Sequence, residues 1–499
     1  MAGRGLERGL RQIPAVIARP ASPARMSNME QRRLGIIADD LTGANDTGVQ
    51  FSKRGLVTTV LLDTEASRDV MGDADVVVIN TDSRWIDPNA AYRRVKEAAE
   101  VLRSAGIAKV YKKLDSALRG NVGAELDAVM DVLQAKVAFV VPAFPDAGRV
   151  TVGGKQLLKD TPLDRSEMAC DPLSPITESH VPTLVSRQSR RRVGHVPLEE
   201  VASGQDGLRA SFATRISSGD EIVVIDAVER EHLRVIARAL ASLDLPLVTA
   251  GSAGLAAELP EVLGMTSKDR MGSKASRGSG VLVVCGSASP TAERQLTYAT
   301  TAIGALSIAL DTSGILSGLD SDEDRVREIV YRASAGLACG QDVLIRVNSD
   351  RCRSRSSPLR NRDGRCRLDA DSGSTPTGLE NPSGLGEDRC PRRDDAARRV
   401  EDSRKITSHL ALLVKRILGR CAVAGLVLTG GDTALAVCRA LGASAVALVD
   451  EVVPGVPSSR LVDGPHTGLV IVTKAGSFGE TDVIVKVINY LRDAAFQRR

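Results

Sequence analysis

Short runs of apolar residues recur along the chain, and each run ends in a cluster of small and polar residues before a helical pattern begins. The first half contains LGIIADD (34–40), VTTVLL (57–62), VVVINTDSR (76–84), KVYKKLDS (109–116) and KVAFVVPAFP (136–145). This alternation is typical of strand–helix units. Aromatic residues make up only 2% of the chain, so the core must consist of Val, Leu, Ile and Ala, which fill parallel sheets. An α/β fold is therefore predicted.

A Pro- and Arg-containing stretch at 160–220 interrupts this alternation, and further runs then predict a second sheet. They are EIVVIDA (221–227), LPLVTAGSAGLAAEL (245–259), VLVVCGSASPTAERQL (281–296), VLIRV (343–347), GLVLTGGDTALAV (425–437) and GLVIVTKAGSFG (468–479). The most linker-like piece is MTSKDRMGSKASRGSG at 265–280. We therefore predict two α/β domains with mainly parallel sheets, over 34–265 and 280–495, and an active site in the cleft between them.

Two segments differ in composition from these domains. Residues 1–33 contain seven Arg, two Glu and no long apolar run. They are predicted to be a disordered tail, with an organelle transit peptide as the alternative. Residues 350–405 contain 14 Lys or Arg, 11 Asp or Glu and only five Val or Leu. Because so little apolar surface could be buried there, a disordered insert is predicted; a basic arm for nucleic acid is the disfavoured alternative.

Overall charge and cysteine content restrict the class of protein. The net charge of +4 reflects 66 basic and 62 acidic residues, a balance that indicates no binding of nucleic acid or membrane. Neither a secretory segment nor a membrane span is evident. The eight Cys form no CxxC pair, so a cytoplasmic protein with reduced thiols and no metal site is expected.

Polar residues follow four strand-like runs of the first half, where the carboxyl ends of parallel strands converge and ligands collect. They are Asp39 to Asn45, Thr81 to Arg84, Lys113 to Arg119 and Pro142 to Pro145. Arg84 and Lys113, with Arg119 as a further candidate, could bind a carboxylate, and several Asp could accept hydrogen bonds from hydroxyls, which together suit a polyhydroxy acid. The alternative is that these residues are only helix caps and turn formers.

The second half contains three small-residue turns between strand and helix: 286–289 (GSAS), 429–433 (TGGDT) and 474–479 (KAGSFG). Glycine lets the backbone approach a phosphate closely, and the following helix adds its positive dipole end. Such turns also occur for tight packing. Neither GxxxxGK[ST] nor GxGxxG is present, which disfavours a P-loop NTPase or a dinucleotide dehydrogenase, and no GxSxG supports a hydrolase.

These motifs resemble those of the four-carbon acid sugar kinase family, whose members phosphorylate threonate, erythronate or 3-oxo-tetronate. The resemblance runs from about Leu34 to Leu491, in family order: ADDLTGANDTG (38–48), NTDSR (80–84), KKLDSALRGN (112–121), PAFPDAGRVTVGG (142–154), GSAGLA (251–256), CGSASPTAERQ (285–295), TGGDTA (429–434) and TKAGSFGETD (473–482). It implies an N-terminal substrate-binding domain and a C-terminal ATP-binding domain. The family pattern includes neither the tail at 1–33 nor the charged segment at 350–405.

The resemblance, together with the strand-end and glycine-turn patterns, gives a set of expected site residues. The substrate is expected at Asp40, Arg84, Lys113, Leu114, Asp115 and Ser116. ATP is expected at Ser287, Ser289, Gly430, Gly431, Asp432, Gly476, Ser477, Phe478 and Gly479.

The mechanism expected from these sites is in-line transfer of the γ-phosphoryl group of ATP to a terminal hydroxyl, with Mg²⁺ bridging phosphates. Asp40 is the candidate base, and Asp432 could instead orient Mg²⁺ or its waters. One alternative is an inactive sugar-acid or nucleotide sensor of the same fold. Another is a phosphatase of the haloacid dehalogenase type, which lacks its DxD spacing here. The substrate isomer and the oligomeric state stay open.

Overall fold

The computed structural model describes residues 33–66, 68–171, 174–265, 278, 280–287, 289–317, 323–348, 393–476 and 478–496. Strands of the N-terminal half are β1 (Leu34–Ala38), β2 (Thr58–Leu61), β3 (Val76–Asn80), β4 (Lys109–Lys113), β5 (Val137–Val141), β6 (Arg149–Val152), β7 (Lys155–Leu158), β8 (Thr161–Pro162), β9 (Val193–Val196), β10 (Ile222–Ile225) and β11 (Leu247–Gly251). All residues of β1, β3, β5 and β10 are buried, as expected for strands covered on both faces by helices.

The helices of this half are α1 (Leu41–Ser52), α2 (Arg68–Met71), α3 (Pro88–Ser104), α4 (Val122–Leu133), α5 (Val181–Gln188), α6 (Leu198–Ala202), α7 (Gly204–Ser217), α8 (Arg230–Ala241), α9 (Ala253–Ala256) and α10 (Leu259–Val262). Short 3₁₀ turns cover Pro145–Ala147, Leu163–Arg165 and Glu167–Cys170. Helix α3 begins with residues that favour a helix start: Asp87 is its N-cap, and Pro88 is its first residue.

The C-terminal half contains β12 (Val281–Cys285), β13 (Leu306–Asp311), β14 (Val343–Asn348), β15 (Gly425–Thr429), β16 (Ala445–Val453), β17 (Val456–Leu461) and β18 (Val470–Lys474). Its helices are α11 (Pro290–Ile303), α12 (Thr312–Ser317), α13 (Glu323–Ala338), α14 (Arg393–Leu418), α15 (Gly431–Ala440) and α16 (Val483–Phe496). The predicted α/β class with mainly parallel pairing is confirmed.

One 15-stranded sheet runs through both halves, in the order β13-β14-β12-β15-β18-β17-β16-β2-β3-β1-β4-β11-β5-β10-β9. The two halves join where β16 pairs antiparallel with β2. The runs at 221–227 and 245–259 were predicted to belong to the second sheet, and this is wrong. They form β10 and β11, and β11 lies between β4 and β5 in the first half, because strand order in the sheet does not follow chain order.

Helix α14 begins at Arg393, so residues 393–405 of the segment predicted to be disordered are helical. The prediction for 350–405 is therefore wrong at its C-terminal end. The helix is anchored further along its length, where Thr407, His409 and Leu410 are buried. The remainder of the predicted insert lies outside the described residues, as does nearly all of the predicted tail at 1–33.

Helix α1 contacts elements of both halves. Asn45 on α1 donates from Nδ2 to Thr473 Oγ1 of β18 at 3.0 Å, and both side chains are buried. A Cβ on Gly48 would lie 2.5 Å from Leu448 of β16, so only glycine allows this close approach. The N-terminus of α1 is therefore fixed relative to the C-terminal half. In the described part of the chain, no helix is both long and apolar enough to cross a membrane.

Candidate active site

Asp39 and Asp40 follow β1, and Arg84 joins them from the segment after the neighbouring strand β3. The Arg84 guanidinium donates from Nε and Nη2 to the Asp39 oxygens at 2.6 and 3.0 Å. It also donates from Nη1 and Nη2 to the Asp40 oxygens at 2.9 and 2.8 Å. Burial alone would raise the pKa of the Asp39 carboxyl, but the charge and hydrogen bonds of Arg84 bring it below its usual value.

This pairing limits what Arg84 can do for a substrate. The side chain was expected to offer a free fork to a carboxylate, yet it is 8% exposed and both Asp side chains already accept from it. Among the described residues, one N–H of Nη1 is left without an acceptor. Arg84 can therefore give a ligand one hydrogen bond, and its main contact is with Asp39 and Asp40.

The two oxygens of Asp40 have different surroundings. Oδ1 accepts from the backbone N–H of Gly43 at 2.8 Å, which caps α1, and also from Arg84. Oδ2 accepts from Arg84 alone within the described part of the chain. Oδ2 is also directed toward the C-terminal half, since a Cβ on Gly431 would lie 3.6 Å from it. Because a carboxylate oxygen has two lone pairs, Oδ2 keeps one for a further donor.

Two buried lysines end β4, and they have different partners. Lys112 Nζ pairs with Glu125 at 2.8 Å and donates to the Lys113 carbonyl. Lys113 Nζ donates to the carbonyl of Leu114 at 2.7 Å, and no carboxylate of the described residues lies within ion-pair distance. A Cβ on Gly43 would lie 3.1 Å from this ammonium group. Lys113 is therefore a buried cation beside the N-terminus of α1, and its ammonium group has further N–H donors available for a ligand.

The remaining predicted substrate residues lie in the loop after β4, which ends at Lys113. The Leu114 side chain belongs to the hydrophobic core, so only its backbone can meet a ligand. Asp115 accepts from Arg119 at 2.6 Å. Burial opposes this ionisation, but Arg119 and Arg84 lower the pKa of Asp115 far below its usual range. Ser116 is partly exposed, and its carbonyl accepts from Gln156.

Trp85, the only tryptophan of the chain, lies beside these cations. The guanidinium carbons of Arg84 and Arg119 lie 5.7 and 5.8 Å from the centroid of the Trp85 ring. Contacts of this kind are attractive because the ring face is electron-rich. Trp85 thus helps to fix both arginines.

Two of the predicted ATP-binding turns contact each other in the C-terminal half. Ser289 caps α11 by accepting from Ala292, and its Oγ donates to the Gly476 carbonyl at 3.0 Å. A Cβ on Gly476 would lie 2.3 Å from Ser287 Oγ, so the two turns need glycine at this position. Ser287 Oγ in turn accepts from the Ser289 amide. The predicted Ser477 lies outside the described residues.

The third turn brings the two halves together. Gly430 has φ +103°, a conformation that favours glycine, and its amide donates to the Lys474 carbonyl at 2.8 Å. A Cβ on the next residue, Gly431, would lie 2.8 Å from Thr42 Oγ1 of α1. The predicted phosphate turn and the predicted substrate residues are therefore adjacent.

A cavity of about 560 Å³ opens beside this turn. It lies between the segment after β3 and helices α14 and α15, and its lining includes Asp82, Trp85, Arg404, Leu412, Asp432 and Arg439. Burial raises the pKa of the Asp432 carboxyl, and the carboxylates of Asp82 and Asp40 add to this effect. A cleft between the two halves is thus present next to the predicted residues.

The last predicted residues, Phe478 and Gly479, shape the turn after β18. A Cβ on Gly455 would lie 2.5 Å from the Phe478 ring, so this ring packs against the β16–β17 hairpin. Gly479 has φ +88°, another position that favours glycine. Their carbonyls face inward and accept from Gln295 at 3.0 and 2.7 Å.

Sequence reasoning missed several polar side chains of this region. Lys112, the penultimate residue of β4, and Lys474, the last residue of β18, are charged residues at the ends of strands, a signal that the sequence carries and that was not used for them. Asp46 follows Gly43 by one helical turn on α1, and its Oδ1 is buried without a hydrogen-bond partner among the described residues. Burial raises the pKa of Asp46 to about 6, although Lys113 opposes this.

Comparisons with known proteins give a different family match for each half of the chain. Residues 34–259 match a sugar-binding N-terminal domain family, and residues 385–484 match a nucleotide-binding C-terminal domain family. Two solved structures share the fold. One is a protein of Salmonella typhimurium LT2 (TM-score 0.71, 22% identity, 92% of this chain and 99% of that chain). The other is a Haemophilus influenzae protein (0.64, 23%, 93% and 100%).

Curated relatives extend over nearly the whole chain. A D-threonate kinase of Salmonella typhimurium is 34% identical over 459 residues, covering 92% of this chain and 98% of the relative. A D-erythronate kinase of Heliobacterium modesticaldum is 33% identical, covering 91% and 96%. A 3-oxo-tetronate kinase of Methylobacterium radiotolerans is 29% identical, covering 92% and 99%. The chain therefore belongs to the four-carbon acid sugar kinase family.

Proposed function

We propose that this protein is an ATP-dependent kinase that phosphorylates a terminal hydroxyl of a four-carbon acid sugar: threonate, erythronate or 3-oxo-tetronate. The observation that carries the proposal is the contact between halves, where Asp40 Oδ2 and Thr42 lie against the turn at Gly431. Phosphoryl transfer needs the acceptor hydroxyl and the γ-phosphate side by side. The activities of the relatives support the same reaction.

In this proposal the substrate carboxylate binds Lys113, whose buried ammonium group has only a carbonyl as partner among the described residues. Arg84 adds its one remaining N–H, and Ser116 and the backbone at Leu114 bound the same space. Asp115 is already paired with Arg119, so its role is to hold that loop and to accept a hydrogen bond from a substrate hydroxyl. This arrangement suits a small acid that carries several hydroxyls.

Asp40 is the proposed proton acceptor, through Oδ2. This oxygen has a lone pair left and is directed toward the Gly431 turn, whereas Oδ1 is occupied by Gly43 and Arg84. The bond from Arg84 fixes the orientation of the carboxylate. The terminal hydroxyl would donate its proton to Oδ2 as its oxygen attacks the phosphoryl group.

ATP would bind at the turns of the C-terminal half: Ser287, Ser289, Gly430, Gly431, Asp432, Gly476, Ser477, Phe478 and Gly479. Two of these positions require glycine, since a Cβ on Gly476 would collide with Ser287 and Gly430 has a positive φ, and a glycine turn before a helix can bring backbone N–H groups close to a phosphate. The nucleotide supplies the phosphoryl group. Within the described ranges no group of three or more His, Cys, Asp or Glu side chains is arranged to hold a metal ion. Mg²⁺ would therefore be held largely by the phosphates, with Asp432 close enough to orient its waters.

The test is ATP consumption by the purified protein with a panel of threonate, erythronate and 3-oxo-tetronate isomers. We expect one acid to stimulate ADP formation strongly and the others weakly. If the acids and ATP bind but no ADP forms with any of them, the protein is a sensor of the same fold, and the proposed reaction is wrong.

A further inference from the structure

A buried lysine donates hydrogen bonds to backbone carbonyls of the turn that follows β18, at 475–479. Lys474 is the last residue of β18, and its side chain is 1% exposed. Its Nζ donates to the carbonyls of Ala475, Gly476 and Phe478 at 2.7, 3.3 and 3.0 Å. One ammonium group therefore uses all its donors on the turn that follows it.

Other side chains complete this inward arrangement of carbonyls. Gln295 Nε2 donates to the carbonyls of Phe478, Gly479 and Glu480 at 3.0, 2.7 and 3.0 Å. The amides of Gly476 and Gly479, by contrast, donate to no acceptor among the described residues. These two N–H groups can therefore donate to a ligand, whereas the N–H of Phe478 is already bonded to the Ala475 carbonyl. Such groups suit an anion.

The positive charge of Lys474 has no counter-ion in the described part of the chain. No carboxylate lies within ion-pair distance, in contrast to Lys112, which pairs with Glu125 at 2.8 Å. A buried charge without a partner is costly. Apart from Lys474 itself, the three turns contain no Lys or Arg, so Lys474 is the cation that the chain places at their edge.

We propose that Lys474 is the positioning residue for the nucleotide phosphates: its ammonium group binds the carbonyls of Ala475, Gly476 and Phe478 and supplies a positive charge that attracts the phosphates at this turn. The inference rests on the proposed function and adds to it a residue that does not touch the nucleotide. A phosphate-binding lysine normally projects into its site, whereas this one acts through the backbone.

Burial lowers the pKa of Lys474 to about 8, and the thiol of Cys285 on β12 is the titratable group that faces it. Burial also raises the pKa of that thiol to about 11, so Cys285 stays neutral over the relevant range. Glu293 and Arg346, which face Cys285, pair with each other. A bound phosphate favours the charged amine, so nucleotide affinity should fall as pH rises through about 8.

The experiment measures binding of Mg²⁺–ADP by calorimetry, without any acid, at about pH 7 and about pH 9. Three proteins are compared: the parent, Lys474→Met, and the control Lys486→Met, an exposed lysine on α16 paired with Asp482. We expect parental affinity to fall about tenfold between these pH values. Lys474→Met should bind about tenfold to hundredfold more weakly at pH 7 and show no further loss at pH 9. Lys486→Met should match the parent.

Two results would overturn the inference: parental affinity that is the same at both pH values, or a Lys474→Met variant that keeps the parental loss at high pH. The second would mean that Lys474 is only structural. The first is measured on the unaltered protein, so it decides the question even if the variant does not fold. If the parent binds no ADP at either pH, the proposed nucleotide site itself is wrong, a different outcome from the first two.

Discussion

The ends of β4 and β18 use the same lysine geometry in opposite surroundings. Lys113 and Lys474 are each the last residue of a buried strand, and each bends back to the next carbonyl at 2.7 Å. Around Lys113 lie carboxylates, since its charge acts on Asp39, Asp46 and Asp115. Around Lys474 lie glycine turns and a thiol.

This difference separates two ways of binding an anion. At the N-terminal edge, formed by the residues that follow β1, β3 and β4, most charged side chains are already ion-paired. Lys113 is not paired with a carboxylate among the described residues, so we propose that it binds the small acid. At the C-terminal edge, the backbone amides of Gly476 and Gly479 have no acceptor among the described residues, and the buried ammonium group of Lys474 binds neighbouring carbonyls. Side-chain recognition discriminates between similar small acids, whereas backbone amides suit a phosphate chain common to many substrates.

Replacing Asp40, the proposed proton acceptor, should have the largest effect on activity. Asp40→Asn keeps the size of the side chain but loses the proposed proton acceptor, so kcat should fall by about 10² to 10⁴ with little change in KM. Steady-state kinetics with the best acid of the panel measure this. Asp206→Asn, at an exposed position on α7, is the control and should behave as the parent. A variant that shows only a raised KM would make Asp40 a substrate-orienting residue.

A bulky residue in a C-terminal turn should affect one ligand and spare the other. Gly430→Val places a β-branched side chain at φ +103°, and we expect ATP affinity to fall by at least about tenfold while acid affinity stays within about twofold. Gly468→Val is the matched control, with φ +86° and open space around its Cβ position. Calorimetry with each ligand separately checks both. Equal ATP affinity of the two variants would move the nucleotide site elsewhere.

Replacing Lys113 should weaken binding of the acid and leave binding of ATP unchanged. Lys113→Met removes the unpaired ammonium group, so KM for the acid should rise about tenfold to hundredfold while KM for ATP is unchanged. Lys96→Met, on the exposed face of α3, serves for comparison. Kinetics at fixed saturating ATP and then at fixed saturating acid separate the two constants. A parallel rise in both would contradict the division of labour between the two edges.

The smallest effect concerns stability. The Asp46 carboxyl titrates near 6 when folded and near 3.8 otherwise. The unfolded chain thus loses its proton first, and the free energy of unfolding falls as pH rises from about 4 to about 6. Asp46→Asn should remove this loss and be more stable by about 1 to 3 kcal/mol above pH 6, with no gain near pH 4. Denaturant titrations at both pH values measure it. A gain that is equal at both would point to a cause other than ionisation.

The sequence predicted that the polar residues after β1, β3 and β4 lie together, but not how their charges are partnered. Polar residues after apolar runs correctly brought Asp40, Arg84 and Lys113 to one place, because parallel strands end at a common edge. It could not show that Arg84 would already be bound to Asp39 and Asp40. That choice depends on distances that exist only after folding.

The order of the strands in the sheet could not be predicted from the sequence either. Apolar periodicity reports burial and not which strand pairs with which, so β10 and β11 were wrongly grouped with the C-terminal strands in a second sheet. The antiparallel β2–β16 pairing joins residues far apart along the chain and leaves no local signal. The helical start of α14 was missed for a related reason: its charged residues lack apolar neighbours in sequence, and the helix is anchored by buried residues that come later, such as Leu410, Leu413 and Val414.

Trp85 gives this protein a natural optical probe. An indole that lies against two guanidinium groups emits according to their positions, and no other tryptophan contributes to the signal. An acid that draws Arg84 toward itself should change this emission, and so should a molecule that enters the adjoining cavity. Unlabelled protein can therefore report ligand binding by fluorescence in real time, separately from any turnover.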